Sequence, residues 1–171
     1  IMERLVGSEM CIRDSHETML DVEFGYRYSS NKLSLIANLY NMQYKNQLIL
    51  TGDVNDVGSP IRINVPKSFR RGLEMTAAIK LNKKFNLRFN TTLSQNKIVE
   101  FTEAIDDWDL QIQVNESHEN TDIAFSPSIV GGGQLIFTPF ISEERGKLDL
   151  ALVSKYVGEQ YLDNTSSDYG K

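Results

Sequence analysis

The densest collection of groups able to do chemistry lies in residues 98–122. Glu100, Glu103, Asp106, Asp107, Asp109, Glu116, Glu119 and Asp122 stand there beside Trp108 and His118, with no lysine or arginine among them. As a ligand-contacting loop, this stretch offers Trp108 as a stacking platform. Asp106, Asp107, Asp109 and His118 would meet a cationic or metal-bearing ligand, and the net negative charge would repel an anionic one. A solvated loop kept in water by its charge has the same composition. Carboxylate oxygens suit calcium, but the ordered spacing of an EF-hand is missing, so no metal site is expected. Catalysis has no better footing. His16 and His118 lack a serine or cysteine in an elbow-like context, and the carboxylates have no enclosed strand pair to present them for acid–base work. Gly131, Gly132 and Gly133 precede a strand-like run rather than a helix, so they do not form a phosphate-binding loop. They read instead as a bend or bulge, or as a close backbone approach. No enzyme activity and no cofactor are expected.

Whatever positions these residues is built from strands. Val22, Phe24, Tyr26 and Tyr28 alternate with Asp21, Glu23, Gly25 and Arg27. Leu33, Leu35, Ala37 and Leu39 share one face, after which the apolar set shifts to Tyr40, Met42 and Tyr44. Leu73, Met75, Ala77, Ile79 and Leu81 alternate with Gly72, Glu74, Thr76, Ala78 and Lys80, and Phe85, Leu87, Phe89, Thr91 and Leu93 with Asn86, Arg88, Asn90, Thr92 and Ser94. Period two over such lengths specifies half-buried strands, not helices. Two less regular strands follow, in residues 123–140 and 148–163, the second losing phase near Val153. The expected fold class is therefore all-β, an antiparallel up-and-down meander of about six strands.

Connections alternate between short ones (residues 29–31, 82–84 and 141–147) and long ones (46–67, 95–122, and one beginning near residue 164). This sorting puts tight turns at one end of the sheet and long loops at the other, as in a transmembrane barrel. The runs approach 10 residues, enough to cross a bilayer at a tilt. Tyr28, Phe85 and Phe140 stand beside short turns, where an interfacial aromatic girdle belongs. The residues of the opposite phase, Glu23, Arg27, Arg70, Glu74, Lys80, Arg88 and Asn90, are then expected to face the lumen. There they can pair across strands or contact whatever fills the barrel.

The composition agrees once strands are the spanning elements. The chain has 171 residues with 18 basic and 23 acidic side chains, a net charge of −5, and a mean hydropathy of −0.33. An acidic balance argues against a nucleic-acid partner, and one cysteine against a disulfide framework. Low hydropathy does not exclude a membrane barrel, whose strands are apolar only at alternate positions. Residues 1–15 stand apart. They show no alternation, lack the apolar stretch of a signal peptide, and resemble translated adapter sequence in LVGSEMCIRDS; a short amphipathic helical leader is the other reading.

Several phrases, in order, carry a family resemblance: DVEFGYRYSSNKLSLIANLYNMQYKNQL, NVPKSFRRGLEMTAAIKLNKKFNL, NTDIAFSPSIV and SKYVGEQYLDNTSS. They resemble the C-terminal part of the barrel of TonB-dependent outer-membrane receptors, particularly those of Bacteroidetes-type bacteria, over residues 18–171. The resemblance implies a fragment of a large plugged barrel in the bacterial outer membrane. The full-length protein would bind a scarce nutrient (an iron–siderophore complex, cobalamin or a glycan) and would be energised through TonB. Outer-membrane lipid, the plug domain, TonB and the nutrient are the partners it implies. A soluble β-sandwich or barrel binding module is the alternative.

Overall fold

The computed structural model describes residues 15–54, 57–58, 60–107, 112–142 and 146–167. The expected leader, apart from Ser15, lies outside them. Seven strands form one antiparallel sheet: β1 (Thr18–Ser29), β2 (Leu33–Val54), β3 (Pro60–Lys80), β4 (Phe85–Asp107), β5 (Ile112–Asp122), β6 (Ile129–Ser142) and β7 (Gly146–Val157). No helix occurs among the described residues. The sheet runs β1-β2-β3-β4-β6-β7, and β5 pairs with β4 off this path. The antiparallel meander is the expected one, with one strand beyond the expected six or so, in the stretch where a long connection was expected. β4 runs on to Asp107 and β5 returns beside it, with Lys97 opposite Asp122 and Asp107 opposite Ile112. At the level of the tight turns the sheet is still six strands wide, since residues 85–93 of β4 pair with β6.

Register sorts side chains into two faces, because directly opposed residues of an antiparallel pair point the same way. Rungs of one face read Leu33–Ile79–Leu87–Leu135–Leu152, then Tyr28–Leu35–Ala77–Phe89–Gly133, then Tyr26–Ala37–Met75–Thr91–Gly131–Tyr156, then Phe24–Leu39–Leu73–Leu93–Ile129. The ladder does not slip at residue 40 or 153, so the apparent phase losses there are changes of chemistry, not of backbone. Nor does it slip at the glycine triplet; the irregularity in β6 falls between Phe137 and Phe140.

Among the described residues no second layer covers this apolar face. Phe24 is 70% exposed and Leu152 73%. At the tight-turn end Phe85 stacks on Phe137, ring centroids 4.7 Å apart. The turns there are built from local side chains: Asn82 Oδ1 accepts from the Lys84 and Phe85 amides, and Ser30 Oγ from the Leu33 amide.

Beyond the tight-turn half, β2, β3 and β4 are more than 20 residues long, about twice what a tilted bilayer crossing needs. The buried core lies in this extension: Ile49, Val65, Ile98, Phe101 and Ile123, with Ile63 against them. On each strand the buried or half-buried positions change parity at one level. They go from Tyr44 to Gln47, from Ser68 to Val65 and from Ile98 to Phe101, steps of three instead of two. The causes are local. Asn46 takes φ +53°, which asparagine tolerates better than most residues. Pro66, opposite it, has no amide to give to the ladder. Val99 is an extra residue between the Ser68–Ile98 and Lys67–Glu100 pairs. Ser68 Oγ donates to Gln47 Oε1 at 2.5 Å across the change. Apolar side chains thus leave one face of the sheet and collect on the other.

Candidate functional site

The polar rungs lie opposite the apolar ones. They read Asp21–Met42–Arg70–Asn96, Glu23–Tyr40–Gly72–Ser94, Gly25–Asn38–Glu74–Thr92–Val130–Val157, Arg27–Ile36–Thr76–Asn90–Gly132–Lys155, and Ser34–Ala78–Arg88–Gln134–Val153. Glu23, Arg27, Arg70, Glu74, Arg88 and Asn90 therefore share one face, and Lys80, opposite Asn86, joins them. Lys155 is a further cation on it, one that the sequence hid because the alternation of β7 blurs at Val153.

The charges on this face are graded. Toward the tight turns Arg27, Lys80, Arg88 and Lys155 occupy rungs that hold no carboxylate. Toward the extension Asp21, Glu23 and Glu74 outnumber Arg70, and Glu23, Glu74 and Arg70 border a cavity of about 470 Å³ that Asn38, Tyr40, Ser94 and Asn96 also line. Asn38 Nδ2 donates to Glu23 Oε2 at 2.9 Å. Gly72 makes room for the neighbouring ring: a Cβ there would lie 2.7 Å from Tyr40 Oη and 2.4 Å from the Leu93 carbonyl oxygen.

Residues 123–128, between β5 and β6, roof this cavity. The Ile123 amide donates to the Asn96 carbonyl and the Ser94 amide to that of Ser128, so the middle of β4 is bridged by the loop where it pairs with neither β5 nor β6. Arg70 Nη1 donates to Ser126 Oγ at 3.0 Å, and Ser126 Oγ donates onward to the Ala124 carbonyl. Phe125, half exposed and with φ +55°, also lines the cavity. The segment after β7 holds the roof from behind. The Phe125 amide donates to the Tyr161 carbonyl. Buried Asn164 accepts from the Ala124 amide at 2.8 Å and donates to the Leu50 carbonyl. The Asp122 amide donates to Ser166 Oγ at 2.7 Å. The bonds from the segment after β7 have no sequence signal, since Asn164 lies 40 residues from Ala124 and 114 from Leu50.

Of the ligand-contacting residues expected from the sequence, the described ones, Asp106, Asp107 and His118, do not line this cavity. Trp108 and Asp109 lie outside the described residues. Asp106 and Asp107 end β4, paired with Gln113 and Ile112. His118 sits on β5 with its ring stacked on Phe101 at 5.0 Å, beside the upper core. Among the described residues no three His, Cys, Asp or Glu side chains converge as a metal site would require.

A single sheet, apolar on one face and polar on the other, with tight turns at one end and a structured extension at the other, has the build of a barrel wall segment. The ferric yersiniabactin uptake receptor FyuA from Yersinia pestis is structurally similar, with a TM-score of 0.58, 18% identity, and coverage of 88% of this chain but 20% of the receptor. At that identity the likeness is one of fold, and the chain spans about a fifth of the receptor's length. No curated protein sequence matches. Residues 17–171 match the family described as TonB dependent receptor-like, beta-barrel, and the chain belongs to that family.

Proposed function

We propose that this chain is a wall segment of an outer-membrane receptor that imports a scarce nutrient, with TonB supplying the energy to the full-length protein. The observation that carries the reading is the continuous, uncovered apolar face across six strands. From Leu73 to Leu81, the residue just past the end of β3, that face climbs about 27 Å along the chain, or about 20 Å along the axis of a barrel whose strands tilt by about 40°. With side chains added, this approaches the apolar band of about 25 Å that such barrels present to lipid. A soluble sandwich would cover this face with a second sheet, and the described residues form one sheet alone.

In this reading Glu23, Arg27, Arg70, Glu74, Arg88 and Asn90 face the lumen. The cations near the tight turns suit carboxylates of the plug, and the roofed cavity at the other end suits a polar portion of the nutrient. Iron chelates, cobalamin and glycans are the nutrient classes that the family resemblance brings. The chain's part is binding and passage, not catalysis. The test is uptake by cells that carry or lack the full-length receptor, offered labelled ferric chelates, cobalamin and oligosaccharides. One class should accumulate only with both the receptor and TonB present. Equal uptake of every class by receptor-free cells would sink the proposal.

A further inference from the structure

We infer that the roofed cavity on the polar face takes a protonated amine, held between Glu23 and Glu74, so that the nutrient is a cation at this point of its passage. The inference rests on the reading of this face as lumen-lining and sharpens it. Glu23 stands opposite Tyr40, and Glu74 stands opposite Asn38 on the next rung toward the tight turns. The two carboxylates therefore flank Asn38 and Tyr40 from either side, their Cα atoms about 12 Å apart by strand spacing, and both border the cavity. Arg70 belongs to the other end. It is four residues from Glu74, about 14 Å along β3, it shares a rung with Asp21, and it is tied to the roof through Ser126 Oγ. Opposite charges match at the roof, and the excess negative charge falls on Glu23 and Glu74.

The hydrogen-bonding groups point the same way. Ser94 Oγ donates to the Pro127 carbonyl at 3.1 Å and Ser126 Oγ to that of Ala124, so the roof takes the hydroxyl protons of both serines. Asn96 is 7% exposed and gives Nδ2 to Ser94 Oγ at 3.0 Å, while its Oδ1 has no partner among the described residues. Glu74 has neither hydrogen bond nor ion pair among them, and Glu23 receives one bond, from Asn38 Nδ2. What remains for a ligand is mostly acceptors. An ammonium carries three donors and no acceptor, whereas a carboxylate would meet acceptors and like charge. Aromatic surface completes the match. Tyr40 borders the cavity from the wall and Phe125 from the roof, where Phe125 is held in the left-handed region by its amide's bond to the Tyr161 carbonyl. The face of such a ring attracts a cation.

The test uses glucamine, glucitol and gluconate, one polyol chain ending in an ammonium, a hydroxyl or a carboxylate. Each is titrated into the full-length receptor in neutral detergent, and saturation-transfer NMR reads its Kd. Glucamine should bind about tenfold or more tightly than glucitol, the scale of one hydrogen-bonded contact to a charged group, and gluconate should bind most weakly. Glu23→Gln/Glu74→Gln preserves shape and should bring glucamine to within about twofold of glucitol. Glu100→Gln/Glu119→Gln, the same change of charge outside the cavity, should keep the preference. Compact migration in an unheated gel checks that each variant is folded. Binding of none of the probes, equal binding of all three, a preference for gluconate, or a preference that survives Glu23→Gln/Glu74→Gln would each overturn the proposal. Uptake of an amine-free nutrient that depends on receptor and TonB would leave the import reading standing and overturn the amine alone. Loss of receptor-dependent uptake with the glucamine preference intact would do the reverse.

Discussion

Gly72 has no side chain, and its neighbours use the space. A Cβ there would meet the Leu93 carbonyl oxygen at 2.4 Å and Tyr40 Oη at 2.7 Å, whereas one on Gly133 would have its nearest neighbour at 3.8 Å. Gly72→Ala in the full-length receptor should therefore destabilise the barrel by about 1–3 kcal/mol, the usual cost of overpacking, while Gly133→Ala should be neutral. The temperature at which the barrel loses its compact migration in an unheated gel measures both. Thr91 and Thr92 give a sharper contrast, being the same residue type on opposite faces. Thr91 shares a rung with Met75 and Thr92 with Glu74. Thr91→Arg should impair assembly, because arginine near mid-bilayer on a lipid face costs about 2–4 kcal/mol. Thr92→Arg, placed beside a carboxylate, should assemble normally. Leu73→Arg, at the end of the apolar run, should impair it less than Met75→Arg or Ile79→Arg, each two residues from its middle at Ala77, since that cost falls toward the interfaces. Equal assembly of the Thr91 and Thr92 variants would refute the assignment of faces.

Between residues and molecule stands the change of parity in β2, β3 and β4. Inside a bilayer the outward face must be apolar; in water that requirement reverses, and apolar side chains must bury against one another. Asn46, Pro66 and Val99 mark the level where one regime gives way to the other. Asn46→Val should cost about 1–3 kcal/mol, because a branched side chain is strained at φ +53°, and Asn46→Gly should be tolerated. The damage should stay local: protease added outside intact cells should cut the extension of the valine variant faster, while the membrane band keeps its migration. Equal cutting of parent and Asn46→Val would show that the kink does not hold the extension together. Asn164→Ala should loosen the same region by removing a buried amide's bonds to Ala124 and Leu50. The two faces were legible in the sequence because period two survives changes of neighbour, which is why Glu23, Arg27, Arg70, Glu74, Arg88 and Asn90 share one side of the sheet. The shift after Leu39 was legible as a pattern but not in its meaning, since residue chemistry and backbone phase change independently. β5 was hidden for another reason. Glu116, His118, Glu119 and Asp122 show no apolar alternation, so its pairing comes from the backbone of β4. The roof formed by residues 123–128 was illegible because what holds it is distant in sequence, Asn164 bonding both Ala124, 40 residues away, and Leu50, 114 away.

At the scale of the molecule, the sheet's two edges carry the argument. Every residue of β1 and of β7 is exposed, and each of these strands has a single neighbour. In a closed barrel the next strand would satisfy each edge; in isolation they are unpaired rows of amide and carbonyl groups that invite other chains. The apolar face compounds this, spreading well beyond the few hundred Å² that soluble monomers tolerate. Residues 18–171 produced alone should therefore collect in the insoluble fraction and need detergent or denaturant to dissolve. The full-length receptor, refolded into detergent micelles, should migrate compactly until heated. Light scattering on the segment in plain buffer makes the decision. A monodisperse monomer of about 17 kDa would mean that another surface covers both the edges and the apolar face, and would restore the soluble binding module as the better account. Aggregation in buffer together with compact migration of the whole receptor places the missing cover where the family's architecture puts it, in the remaining strands of the barrel and in the lipid around them.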